Sequence, residues 1–107
     1  MEMYAQGDIL FVRRGMPSEK GEEIMDGVIA RGEITGHTHR LRPGQDAVLR
    51  AVAGLMYIEA MREAVVEHVL PDGRSTGDHD SVSLPEGIWE VRRQREWTPE
   101  GYRQVAD

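Results

Sequence analysis

The chain has 107 residues, 39% hydrophobic and 30% charged, with 19 acidic against 13 basic side chains and a net charge of −6. That is the length of one domain, apolar enough for a core and too rich in hydrophobic residues for a disordered chain. The acidic balance disfavours general binding of phosphate backbones, and the absence of cysteine excludes disulfides, thiolate metal sites and a cysteine nucleophile.

No apolar run approaches the roughly 20 residues that span a bilayer, so no membrane partner is expected. The start, Met1 to Gly7, has no basic region followed by an apolar run, so no signal peptide is expected. With no disulfides to rely on, a cytoplasmic location is the expectation.

In chain order, Gly7-Asp8 to Arg14 holds Ile9-Leu10-Phe11-Val12 between turn formers and predicts a buried strand. Residues 15–26 carry Gly15, Pro17 and Gly21 among polar residues and predict a surface loop. Gly27 to Arg31 predicts a strand, Gly32 a bend or bulge, and Glu33 to Arg42 another extended stretch. Pro43-Gly44-Gln45-Asp46 predicts a turn and Ala47 to Ala51 a strand. Leu55 to Leu70 is readable two ways. Tyr57, Met61, Val65 and Val69 recur at helical spacing. Met56, Ile58 and Ala60, and then Ala64, Val66, His68 and Leu70, alternate as strands do. The neighbouring short strands favour the second reading. A loop over 71–80, strands at 81–84 and 88–92, and a tight Pro85-Glu86-Gly87 turn follow. Thr98, Pro99 and Glu100 predict the start of a short C-terminal helix. The expectation is a single mostly-β domain over 1–107, a small antiparallel barrel or sandwich with a short C-terminal helix.

The four histidines are the residues that carry chemistry. His37 and His39 stand two apart, so on a strand their rings share a face and can converge on a metal. His68 and His79, at or beside later extended segments, are candidate third and fourth nitrogens. Three imidazoles leave a coordination position open for chemistry, whereas four close it. Gly36 allows close approach of the backbone before the pair. Glu67, Asp78 and Asp80 are candidate ligands or acceptors that orient the rings, and Glu67 or Glu33 a base if a metal-bound water hydrolyses a substrate. Each histidine also has a plainer reading, as an exposed or hydrogen-bonded polar residue. Arg92, Arg93, Arg95 and Trp97 form a basic and aromatic cluster, read either as a charged sheet edge or as a weak nucleic-acid adaptor.

Three stretches carry a resemblance. They are Arg31-Gly32-Glu33-Ile34-Thr35-Gly36-His37-Thr38-His39-Arg40-Leu41, then His79 with Val82-Ser83-Leu84-Pro85-Glu86-Gly87-Ile88-Trp89-Glu90-Val91, then Gln94-Arg95-Glu96-Trp97-Thr98-Pro99. Together they resemble a group of small uncharacterised bacterial and phage proteins with a Gly-Glu-(Val/Ile)-Thr-Gly-His-X-His-Arg core. That resemblance implies a second histidine shortly before the position of His79, for which His68 is the candidate, although residues 69–78 intervene. The His-X-His pair is also loosely similar to the first motif of cupins. There the expected glutamate would fall near Pro43 or Gly44 and a later histidine near Glu90, so the likeness is one of architecture.

The expectation is a small divalent-metal-binding β-domain using His37, His39, His79 and His68, with zinc one suitable ion. The alternative is a non-enzymatic assembly module, homo-oligomeric or phage-associated, in which these histidines are structural. Neither a substrate nor a small-molecule ligand is named by the sequence, and a catalytic role is not required.

Overall fold

Short runs of β-branched and aromatic residues, each broken by a glycine or proline turn, leave little room for helix. A computed structural model of the chain describes residues 2–31, 36–74, 80–93, 95–98 and 101–104. Among these run the strands β1 (Met3–Gln6), β2 (Ile9–Arg14), β3 (Glu22–Glu23), β4 (Val28–Arg31), β5 (Thr38–Leu41) and β6 (Ala47–Val52). They are followed by β7 (Leu55–Ala60), β8 (Ala64–Val69), β9 (Val82–Leu84), β10 (Gly87–Arg93), β11 (Arg95–Thr98) and β12 (Gly101–Gln104).

The strands form a six-stranded sheet ordered β1-β2-β10-β7-β6-β3, a four-stranded sheet ordered β4-β5-β8-β9, and the hairpin β11-β12. Every pairing is antiparallel. The two larger sheets share one core. Ile9, Phe11, Leu49, Ile58, Ala60 and Trp89 come from the first, and Ile29, Leu41, Ala64, Val66 and Leu84 from the second. Both sheets are open among the described residues, so the barrel alternative is not what forms.

The ambiguous stretch over 55–70 is two strands. Tyr57 and Ile58 alternate across β7, and Ala64, Val66 and His68 share one face of β8. The expected C-terminal helix is replaced by the hairpin, with Trp97 opposite Tyr102 and Thr98 opposite Gly101. Aromatic and β-branched residues at these positions favour extended backbone over a single N-terminal helix signal. The predicted bend at Gly32 lies outside the described residues; the β4–β5 register shifts between Val28 and Ala30 instead.

Two side chains stitch the sheets at their ends. Gln45, in the turn after β5, accepts from the Val65 amide at 2.9 Å and donates to the Val65 carbonyl at 2.8 Å, copying a neighbouring strand's peptide group. Trp89 is fully buried and donates its indole N–H to the Pro85 carbonyl at 2.8 Å. The Arg13 guanidinium lies 4.4 Å from the Trp89 ring centroid and donates to the Glu86 carbonyl, so the tight turn, the indole and β2 are one unit.

The β6–β7 turn is Ala53-Gly54, with φ of 49° and 80°. Both central residues are left-handed, as a type I′ turn requires, and alanine is poorly suited to that region. Ala53→Asn should therefore raise stability by about 1 kcal/mol. Urea unfolding is the check, with a higher midpoint expected at unchanged slope.

Candidate functional site

Strand alternation decides which histidines meet. On β5, His39 and Leu41 are buried while Thr38 and Arg40 are partly exposed. On β8, His68 lies directly opposite His39, and Val66 directly opposite Leu41. His39 and His68 therefore project from the core-facing side of the four-stranded sheet, beyond its apolar floor of Leu41 and Val66. His37 joins them from the residue before β5. Its ring centroid is 4.7 Å from that of His68 in an edge-on arrangement, while His39 and His68 stack at 4.9 Å. Gly36, with φ of 73°, takes the left-handed turn that delivers His37 to this place.

The first hairpin reaches the cluster from the other sheet. Gly7-Asp8 is its two-residue turn, with Gln6 opposite Ile9. Gln6, Asp8 and His39 are buried polar side chains. The Gln6 amide nitrogen donates to the Val66 carbonyl at 3.0 Å and to the Asp80 carbonyl at 2.8 Å. Both of its hydrogens are thereby used, and Gln6 Oε1, 2.8 Å from His39 Nδ1, must accept. His39 Nδ1 carries a proton, and in the neutral ring Nε2 holds the lone pair. That is the state a metal-ligating imidazole adopts when an acceptor holds its other nitrogen. Asp8 Oδ1 lies 4.0 Å from His39 Nε2, and Asp8 Oδ2 lies 3.6 Å from Arg93 Nε.

The structure brings together His37, His39 and His68 of the predicted set. His79, Asp78 and Glu33 lie outside the described residues. Glu67 is not part of the cluster. It neighbours His68 in sequence and so faces the other side of β8, where Arg40 Nη2 at 2.8 Å and Arg42 Nε at 3.1 Å hold it. Asp80 enters through its backbone carbonyl, as the acceptor for Gln6. Among the described residues, no three histidine or carboxylate side chains already stand at metal-ligand spacing. Of the basic cluster, Arg92 is bound to Glu90 at 2.6 Å and Arg93 turns to Asp8.

Gln6 and Asp8 are not among the residues the sequence singles out, and Arg93 stands there only within the basic cluster. The signal for the first two was Gly7-Asp8 itself, a two-residue hairpin turn between apolar runs, which places Gln6 and Asp8 at the tip of a β-ribbon.

The profile of a domain of unknown function, DUF8820, matches residues 5–94. The chain belongs to that family. No curated protein and no solved structure matches it. The DUF8820 span takes in Gln6, Asp8, His37, His39, His68 and Arg93, so the whole described cluster lies within the family's domain. Among the described residues, no helix is long and apolar enough to cross a membrane.

Two outcomes follow from this geometry. Gln6→Leu removes the acceptor of His39 Nδ1–H and the donor to two carbonyls, and should cost about 2 kcal/mol or more. Nitrogen-15 NMR of the neutral wild-type ring should show His39 as the Nδ1–H tautomer, a preference that the variant loses. Glu67 supplies a second outcome. Burial disfavours its charge, but hydrogen bonds from Arg40 and Arg42 outweigh this and hold its pKa below the ordinary 4.5. A lowered native pKa adds stability that is present in full above the unfolded value and drains as pH falls through the native one. Glu67→Gln should therefore be less stable than wild type at pH 7, with the gap narrowing below about pH 4.5; paired urea melts at pH 7 and pH 3 measure it.

Proposed function

We propose that this domain binds a divalent transition metal through its histidine cluster, with His37, His39 and His68 as imidazole donors and His79 as a further candidate. The observation that carries the reading is the Gln6–His39 hydrogen bond. It commits the Nδ1 proton and leaves the lone pair of the neutral ring on Nε2, in a side chain that is fully buried. The two further rings packed within 5 Å centroid distance supply borderline-soft nitrogen donors of the kind zinc, nickel, copper and iron accept.

Binding asks His37 and His68 to rotate about their side-chain bonds until their nitrogens converge with that of His39. Strands β5 and β8 hold the backbones of His39 and His68, and His37 directly precedes β5. With three imidazoles in place a fourth position is open to water, and hydrolysis of a substrate is the chemistry such a site would offer. A cytoplasmic setting, in a bacterial or phage-encoded protein, suits a cysteine-free chain of this kind.

A second reading has its own observation. Gln6 joins β1 to the carbonyls of Val66 and Asp80 in the other half of the core, so the cluster can serve as a polar clasp without metal, in a structural or assembly module.

Cobalt(II) titration separates the two. The wild-type protein should bind one equivalent with visible ligand-field bands, and His37→Ala and His68→Ala should each weaken binding at least tenfold while circular dichroism is retained. A wild type that takes up no cobalt or zinc, or stoichiometric metal indifferent to both changes, would leave the clasp as the reading.

A further inference from the structure

Core-facing positions of the six-stranded sheet are not all covered. On β10, Trp89, Val91 and Arg93 alternate onto the core side; Trp89 is fully buried, whereas Val91 is only partly so. Met56, directly opposite Val91 on β7 and two residues before the buried Ile58, is also only partly buried. The strand that faces them from the second sheet is β4, an edge strand whose register against β5 shifts between Val28 and Ala30. A shift of this kind bends the strand. Ile29 still reaches the core, but Arg31, two residues on at the end of β4, is exposed.

The result is a cleft of about 330 Å³ between the two sheets, floored by Ile9, Ile29, Met56 and Val91. Arg31, Arg92 and Arg93 stand around it, and no aspartate or glutamate among the described residues lines it. An apolar floor with a few polar groups is the composition of small-molecule sites, whose volumes run from about 300 to 1,000 Å³. The positive rim is notable in a chain of net charge −6.

The arginines are not equivalent. Arg92 donates to Glu90 at 2.6 Å, and Arg93 Nε lies 3.6 Å from Asp8. The guanidinium of Arg31 has no ion pair with a described residue. Its planar fork can donate two parallel N–H···O bonds to one carboxylate. A dianion would call for a second uncommitted cation, and Arg92 and Arg93 already have counter-ions.

We propose that this cleft binds a small monocarboxylate with an apolar body, of the medium-chain fatty acid class. Its hydrocarbon lies on Ile9, Ile29, Met56 and Val91, and its carboxylate pairs with Arg31. Covering Met56 and Val91 removes apolar surface of both ligand and protein from water. The site is assigned independently of any metal at the histidine cluster.

Titration with decanoate below its micelle concentration provides the test, with decanol and inorganic phosphate alongside. Decanoate should saturate at one equivalent and shift the methyl signals of Ile29, Met56 and Val91 in carbon-13 NMR. Phosphate should leave those signals in place, and decanol should bind about fivefold or more weakly, because it lacks the charge that Arg31 pairs with. Arg31→Gln changes an exposed side chain, so the fold is expected to persist, and the preference for decanoate over decanol should disappear. Arg92→Gln should keep that preference. Unmoved methyl signals, phosphate moving the same signals, equal affinity for decanoate and decanol, or a preference that survives Arg31→Gln or is lost in Arg92→Gln would each overturn the assignment.

Discussion

The side-chain amide of Gln6 is the constraint on which the centre of this molecule depends. Its two N–H groups bind carbonyls of Val66 and Asp80, and its oxygen is thereby left to accept from His39. A single uncharged group thus joins the first strand to the second sheet and decides which nitrogen of a buried ring carries a proton. A carboxylate at the same position could not donate to the two carbonyls, and a leucine would strand three polar groups in the core.

Around that amide the architecture is a consequence of period-two alternation. Leu41 and Val66 close the apolar floor, and the next inward positions on the same strands are His39 and His68. The residues between them face outward and build a separate network, in which Glu67 is held by Arg40 and Arg42. Two chemically distinct surfaces are therefore carried by one pair of strands, with no insertion or extra element needed. The first hairpin and β10 then bring Asp8 and Arg93 from the opposite sheet to the histidine end of the core.

Much of this was legible in the sequence, for a local reason. Strands such as Ile9–Arg14 and Gly87–Arg93 are bounded by turn residues and alternate internally, and His37 and His39 share a face for the same reason. The pairing of His68 with His39 was not legible, because register between β5 and β8 is a property of two segments far apart in the chain. The roles of Gln6 and Asp8 were hidden for a related reason: the burial of a hairpin tip depends on what the second sheet lays over it. At Thr98 a helix-start signal competes with the strand-forming side chains around it, and the strand pairing prevails. Glu67 is next to His68 in sequence but not in space, because adjacent residues on a strand lie on opposite faces.

The chain passes repeatedly between the two sheets: β1 to β3 lie in one, β4 and β5 in the other, and β6 and β7 return to the first before β8 and β9 cross again. Gln6 meets His39 across 33 residues and the Asp80 carbonyl across 74. Contacts of such span carry a large loop-closure cost and form only when the sheets have already docked. The polar cluster is accordingly a marker of completed assembly. Anything that binds there engages the finished fold and not its unfolded chain, and so acts as a clamp on the last stage of folding.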